Sequence, residues 1–184
     1  MLSFQVLPQG TSTPLDHAHV GRTHSGQQRR AASGPRVTYT LVLGKEIKMQ
    51  LEAVTGSCLC GSVKFEIKPP FSGFRYCHCR RCQKATGSSH ASNVFVPQNQ
   101  IAWLAGEALI SRFDLPGAKR FSVWFCSHCG SRVPHKIRER DDYLVPAGLL
   151  DNDPIIRPEN SIFWGSKAPW YVEPREIPKF TEYT

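Results

Sequence analysis

All seven cysteines of this 184-residue chain fall into three short clusters, and this spacing constrains the fold more than any other feature. The clusters are a C-x-C pair, a C-x-C-x-x-C run and a C-x-x-C pair, formed by Cys58, Cys60, Cys77, Cys79, Cys82, Cys126 and Cys129. Thiolates one or two residues apart can hold one metal ion from a short piece of backbone, and Zn²⁺ prefers such soft ligands in a tetrahedron. The odd number of cysteines argues against a closed disulfide framework and favours a reducing compartment. We therefore expect a metal-stabilised fold and a cytoplasmic location.

The two outer pairs predict a structural metal site. Cys58 and Cys60 lie far in sequence from Cys126 and Cys129, and two such pairs joining distant strands suit a Cys₄ zinc site that closes a long loop. A glycine follows the second cysteine of each pair, at Gly61 and Gly130. Glycine allows the positive φ of a tight turn around a metal ligand.

The central run predicts a different site. Cys77, Cys79 and Cys82 supply three thiolates and leave a fourth position for water or substrate, as catalytic zinc sites do. His78 is a conceivable fourth ligand, but its place between two cysteines predicts that it points away. A fourth, anionic sulfur would need nearby positive charge. Arg80, Arg81 and Lys84 could supply that charge, or they could form an ordinary solvated turn.

The chain divides near residue 49. Residues 1–48 are rich in polar residues and glycine and carry half of the net charge of +8. We expect them to be a disordered tail or an upstream extension of the reading frame, with a mitochondrial transit peptide as a further alternative. One β-prone run, Val37–Leu43, interrupts them. Residues 49–184 are expected to form one domain.

Alternating apolar residues predict a mainly β fold with one short helix. We expect strands at 62–67, 93–96, 108–113 and 120–125, a shorter one at 143–145, and a helix from about Cys79 to Ala85 that stops at Gly87. No apolar run is long enough to cross a membrane. We therefore expect no membrane partner. We also expect no nucleic-acid partner, because basic residues are not clustered with aromatic ones.

Three segments resemble one known family. They are Gly56–Val63, Cys77–Gly87 and Phe125–Ser131, and together they are similar to the glutathione-dependent formaldehyde-activating enzyme family, which includes centromere protein V-type proteins. The resemblance runs from about Thr55 to Trp170. Many members carry a histidine where this chain has Ser161, so its thiol or aldehyde can differ from theirs.

The resemblance implies an Mss4-like, zinc-stabilised β fold with two zinc ions. It assigns the structural ion to the outer pairs and the catalytic ion to the central run, which agrees with the division made from spacing. The residues assigned are Cys58, Cys60, Cys126 and Cys129 for the structural ion, and Cys77, Cys79 and Cys82 for the catalytic ion.

The leading hypothesis is a zinc-dependent carbon–sulfur lyase that acts on a thiol–aldehyde adduct. The resemblance implies that glutathione and formaldehyde combine to S-hydroxymethylglutathione. Arg80, Arg81 and Lys167 are candidates for holding substrate carboxylates, because glutathione is anionic. The alternative is a zinc-stabilised module that binds a protein or nucleic acid without catalysis.

Overall fold

The structure is a computed structural model that describes residues 52–182. Within these residues the chain forms ten short strands and one α-helix. In chain order they are β1 (Val54–Ser57), β2 (Lys64–Ile67), β3 (Gly73–Cys77), α1 (Arg80–Thr86), β4 (Ala91–Pro97), β5 (Ile101–Ala105), β6 (Ile110–Asp114), β7 (Ser122–Cys126), β8 (His135–Lys136), β9 (Asp142–Pro146) and β10 (Asn160–Ile162). The prediction of a mainly β fold with one short helix is confirmed.

The strands form three sheets. The largest has five strands in the order β10-β3-β4-β9-β8, and its only parallel pair joins β10 to β3. A three-stranded antiparallel sheet has the order β1-β2-β5, and β6 and β7 form a separate hairpin. Each cysteine cluster lies at the end of a strand, so the sheets determine where the sulfurs meet.

The main core lies between the three-stranded and five-stranded sheets. Phe65 and Ile67 of β2 pack with Val94 and Val96 of β4, and all four side chains are fully buried. These residues alternate along their strands, which directs them to one face. Burial of such side chains contributes roughly 1.5–3 kcal/mol each to folding.

The helix α1 begins and ends close to its predicted limits. Cys79 is its N-cap and accepts a hydrogen bond from the Cys82 amide, and Gly87 ends it in the left-handed conformation. The predicted strands at 62–67, 93–96, 108–113, 120–125 and 143–145 each overlap an observed strand. Residues 107–109 form a short 3₁₀ turn before β6, which shifts that strand toward Asp114.

Two predictions concern residues that the structure does not describe. The tail at 1–48 and the β-prone run Val37–Leu43 lie outside the described residues. None of the helices in residues 52–182 has the length and apolar character needed to cross a membrane.

Candidate functional site

The outer cysteine pairs meet in one cluster. The sulfurs of Cys58, Cys60, Cys126 and Cys129 all lie within 4.8 Å of one another, and we call this group the four-cysteine cluster. Two of its sulfur–sulfur distances, Cys58–Cys60 and Cys60–Cys126, are 3.5 and 3.9 Å. Tetrahedral zinc–sulfur bonds of about 2.3 Å place neighbouring sulfurs about 3.8 Å apart. The spacing therefore fits a zinc ion.

Two tight turns position these sulfurs. Gly61 donates its amide to the Cys58 carbonyl at 2.9 Å, and Gly130 donates to the Cys126 carbonyl at 2.8 Å. Both glycines have a φ of 72°, the conformation that the sequence predicted for a ligand turn. The Val63 amide also donates to the Cys58 sulfur at 3.3 Å. Matching turns at the ends of two hairpins thus aim four sulfurs at one point.

The central cysteines form a separate three-cysteine cluster. The sulfurs of Cys77, Cys79 and Cys82 lie within 4.8 Å of one another. Cys77 ends β3, Cys79 caps α1 and Cys82 lies in the first turn of that helix. A single strand-to-helix junction therefore carries all three sulfurs, and they approach a common point from one side.

The protonation of the bare sulfurs shows why each cluster suits a cation. A hydrogen bond from Cys82 lowers the pKa of Cys77 to about 6, while the same bond and burial raise the pKa of Cys82. In the four-cysteine cluster, the Ser62 hydroxyl lowers the pKa of Cys60 to about 6, and burial raises the pKa of Cys126. Neighbouring thiolates repel, so a full set of thiolates needs a bound dication. The donor set and the spacing fit Zn²⁺ in both clusters.

The three-cysteine cluster borders an open pocket of ligand size. This pocket has a volume of about 520 Å³. Its lining consists of Cys77, Cys79, Arg81, Cys82, Lys119, Arg120, Phe121 and Phe163. Three cationic side chains and two aromatic rings therefore surround the sulfurs, in a cavity large enough for a small organic ligand.

The three predicted substrate contacts differ in their position relative to the pocket. Arg81 lines the pocket, and it forms no ion pair with any residue in 52–182. Arg80 lines a neighbouring groove and donates to the Gln83 side chain at 3.0 Å. The Lys167 ammonium lies 5.6 Å from the centre of the Trp164 ring and is not among the residues that line the pocket.

His78 lies beside the three-cysteine cluster and outside its group of sulfur ligands. Its ring is fully buried and packs edge-on against Trp164 and Tyr171, at 4.9 and 5.2 Å between ring centres. Burial lowers its pKa, with the neighbouring His90 as a smaller cause. The side chain therefore packs away from the sulfurs, as its place in the sequence suggested.

Four residues that line the pocket were not among the predicted site residues. Lys119, Arg120 and Phe121 follow the turn at Pro116–Gly117, which folds the β6–β7 hairpin back toward α1. The basic pair after a turn was the available signal. Phe163 follows β10, which pairs in parallel with β3 and so brings the ring to Cys77. No local pattern indicates that long-range pairing.

One comparison with known proteins identifies a family whose sequence profile covers this site. The sequence profile described as "Glutathione-dependent formaldehyde-activating enzyme" matches residues 53–166, which include all seven cysteines. No curated protein matches the chain. A solved structure of a Rhodobacter sphaeroides protein from a structural genomics programme is similar to it. The two are 21% identical over 58% of this chain and 98% of that chain, with a TM-score of 0.47.

Proposed function

The chain belongs to the glutathione-dependent formaldehyde-activating enzyme family, and on that premise we propose that it is a zinc-dependent carbon–sulfur lyase acting on a thiol–aldehyde adduct. One observation carries the proposal. The three-cysteine cluster opens into a pocket that also holds Arg81, Lys119 and Arg120, so a site for sulfur chemistry adjoins a site for anions. A purely structural metal cluster needs neither an open side nor a cationic pocket.

The proposed reaction is the reversible addition of glutathione to formaldehyde. A carbon–sulfur bond forms while the carbonyl π bond breaks, and the thiol proton ends on the former carbonyl oxygen. The product is S-hydroxymethylglutathione, and no oxidant or reductant is needed. The family description names both substrates, which supports this assignment.

Cys77, Cys79 and Cys82 are the proposed ligands of the catalytic ion, and Cys58, Cys60, Cys126 and Cys129 those of the structural ion. A zinc ion held by three thiolates would lower the pKa of a thiol at its open position, which makes the sulfur nucleophilic at neutral pH. The protein's own task is then to deliver a thiol to that position. It must also offset the negative charge that the thiol brings.

The cationic side chains suit both tasks. Glutathione carries two carboxylates, and we infer that Arg81, Lys119 and Arg120 hold them while the cysteine thiol faces the three sulfurs. Arg81 has no carboxylate partner in the described residues. Lys119 and Arg120 share Glu139 only at 3.6 and 3.8 Å on the exposed surface. Such surface pairs are weak, so a substrate carboxylate can replace Glu139 at small cost. Arg80 and Lys167 remain proposed contacts of lower rank.

In residues 52–182, the pocket lining contains neither of the side chains most often used as a general acid or base, histidine and carboxylate. We infer that the thiol proton leaves through the open mouth of the pocket to water. The rings of Phe121 and Phe163 line the same pocket, and Phe121 packs against the buried cysteines.

We assign this activity to residues 49–184 and to a reducing, cytoplasmic setting, which would keep the seven thiols available for metal. Exchange NMR tests the proposal on the full chain loaded with two equivalents of zinc. The protein should accelerate exchange of ¹³C-formaldehyde with its glutathione adduct, and Cys79→Ser should abolish the acceleration.

Two controls define the result. 2-Mercaptoethanol, which lacks carboxylates, should be a much poorer substrate than glutathione. Exchange at the buffer rate with folded, zinc-loaded protein overturns the proposal. Salt-sensitive binding of a protein or nucleic acid that survives Cys79→Ser would then favour the non-catalytic module.

A further inference from the structure

A second cavity adjoins the three-cysteine pocket. We call it the apolar groove, and its volume is about 470 Å³. Its floor and walls are formed by Phe113, Leu115, Phe121, Val123 and Phe125, and its rim by Arg80, Arg81, Lys84 and Ala85 of α1. The groove is therefore apolar inside and cationic along one edge.

The β6–β7 hairpin builds this surface. Val123 and Phe125 lie two residues apart in β7, and Phe121 directly precedes that strand, so the three side chains line the groove from one face of the hairpin. Phe113 of β6 pairs with Val123 and extends the same surface. Half of the Phe113 side chain is exposed in the described part of the chain. Adjacent apolar side chains that stay accessible mark a site for an apolar ligand.

The apolar groove lies next to the three-cysteine pocket. Arg81 and Phe121 line both cavities, so a ligand whose sulfur faces Cys77, Cys79 and Cys82 would reach the groove by extending past these two side chains. Formaldehyde has no side chain and would leave this space unused. Glutathione is polar along its length and suits the cationic side of the site better than the phenylalanine face.

We propose that the apolar groove holds the side chain of a larger aldehyde. The preferred substrates would then be thiol adducts of apolar aldehydes with several carbons, such as alkyl or aromatic aldehydes. This inference rests on the proposed function and specifies its substrate class. The cations at the rim complement the carboxylates of the thiol, and the hairpin face complements the hydrocarbon of the aldehyde.

The chemistry is the same balanced addition. The sulfur bonds to the aldehyde carbon, the carbonyl π bond breaks, and the thiol proton ends on the carbonyl oxygen, giving a hemithioacetal. Each methylene buried in the groove should raise kcat/KM by up to about fourfold. The gain should stop when the groove is full.

The first test measures adduct formation by the full, zinc-loaded chain with glutathione and formaldehyde, propanal, hexanal or octanal. We expect kcat/KM to rise at least tenfold from formaldehyde to hexanal. Equal values along the series overturn the inference while leaving the proposed function intact. That outcome is also expected if the chain's own N-terminal residues fill the groove. Exchange at the buffer rate with every aldehyde overturns both.

A matched pair of variants localises the effect. Phe113→Ser removes part of the groove wall, whereas Leu104→Ser removes an equally exposed apolar side chain from β5, which does not line the groove. The ratio of kcat/KM for hexanal to that for formaldehyde should fall about fivefold or more in Phe113→Ser and stay constant in Leu104→Ser. An unchanged ratio in both variants overturns the inference.

The second test does not require turnover. Calorimetry compares binding of two stable thioethers, S-methylglutathione and S-hexylglutathione, to the same full chain. The hexyl compound should bind at least tenfold more tightly, and Phe113→Ser should remove most of that difference. Tight hexyl binding without turnover of any aldehyde would support the groove and overturn the proposed function. Equal binding of the two thioethers would overturn the groove.

Discussion

The two cysteine clusters use the same ligand atom in opposite settings. In the four-cysteine cluster, turns at the ends of two hairpins converge, and the sulfurs pack against the buried Val63 and Val133. In the three-cysteine cluster, one strand-to-helix junction supplies every sulfur, and the remaining side faces a cationic pocket. The first joins parts of the chain that are distant in sequence, and the second presents an unfilled face to a ligand.

This contrast indicates that the number of sulfurs alone does not define the role of such a site. What matters is how many chain segments the ion would join and what borders the remaining position. An ion that joins distant segments contributes its binding free energy to folding. An ion held by one short segment contributes less to folding and more to chemistry.

The largest expected effect separates the clusters by one substitution in each. Cys126→Ser should leave the chain unfolded or aggregated, because structural zinc contributes on the order of 10 kcal/mol and a domain has only about 5–15 kcal/mol of stability. Cys82→Ser should leave a folded protein with one zinc ion and no activity. Circular dichroism and metal analysis measure both outcomes. Equal loss of structure in the two variants would remove the division of roles.

A chelator should remove the two proposed ions one after the other. The three-cysteine cluster offers fewer ligands and an open pocket, so we expect a chelator to remove its ion first. Activity should disappear before the far-ultraviolet circular dichroism changes. Readdition of one equivalent of zinc at the midpoint should restore activity. A single simultaneous loss of activity and fold would contradict this order.

Substitution of an apolar side chain beside each cluster should also affect stability at one cluster and activity at the other, with smaller effects. Val133→Ala, beside the four-cysteine cluster, should lower the free energy of unfolding by about 2.5 kcal/mol, because the residue is fully buried. Phe121→Ala, beside the three-cysteine cluster, should lower activity while costing less stability, because that side chain is only partly buried. Urea unfolding with zinc in excess measures both. A stability loss larger in Phe121→Ala than in Val133→Ala would contradict the comparison.

A buried histidine, His135, should make the stability of the fold depend on pH. Burial, followed by the charges of Arg132 and Arg112, lowers the pKa of His135 to about 3, against about 6.5 in an unfolded chain. Between these values the unfolded chain binds a proton that the folded chain does not, so stability falls as pH falls through this window. The loss from pH 6.5 to 5 should be about 2 kcal/mol.

A pair of histidine variants isolates that contribution. His135→Gln should make the pH dependence of unfolding shallower over this range, measured with zinc in excess. His128→Gln, at an exposed position between Cys126 and Cys129, should not. Identical acid profiles for both variants and the parent would remove His135 as a source of acid sensitivity.

The smallest expected effect concerns the cationic wall of the pocket. Arg81→Ala should raise the KM for glutathione about fivefold, which corresponds to loss of roughly 1 kcal/mol from one charged contact. Arg157→Ala, an exposed arginine paired with Asp153 at 2.7 Å, is the matched control and should leave KM unchanged. An unchanged KM in both would remove Arg81 from the substrate contacts.

The sequence predicted what depends on local spacing. The division of the cysteines and the positive φ at Gly61 and Gly130 follow from neighbours within a few residues. The strand around Val94 and the hairpin after Ile110 were recognisable from alternation. These features need no knowledge of distant contacts.

Features that depend on long-range pairing were missed. The three-residue strand Asn160–Ile162 is too short to recognise, yet its parallel pairing with β3 brings Phe163 to the pocket. Lys119 precedes and Arg120 begins the predicted strand 120–125, and neither was a candidate contact, because only the folded hairpin directs them toward α1. The grouping of the cysteines was therefore predictable, whereas the pocket around them was not.

The pairing of β10 with β3 depends on residues that are synthesised late. Ile162 accepts a hydrogen bond from the His78 amide, and Gln83 donates to the Ser166 carbonyl at 2.8 Å. All seven sulfurs precede residue 130 in the chain, but these contacts come from its last quarter. During synthesis, both clusters can gather their sulfurs before Phe163 has left the ribosome. The cysteines can thus meet before the pocket is closed, and a chain ending after Gly130 would retain all seven of them while lacking β8, β9 and β10.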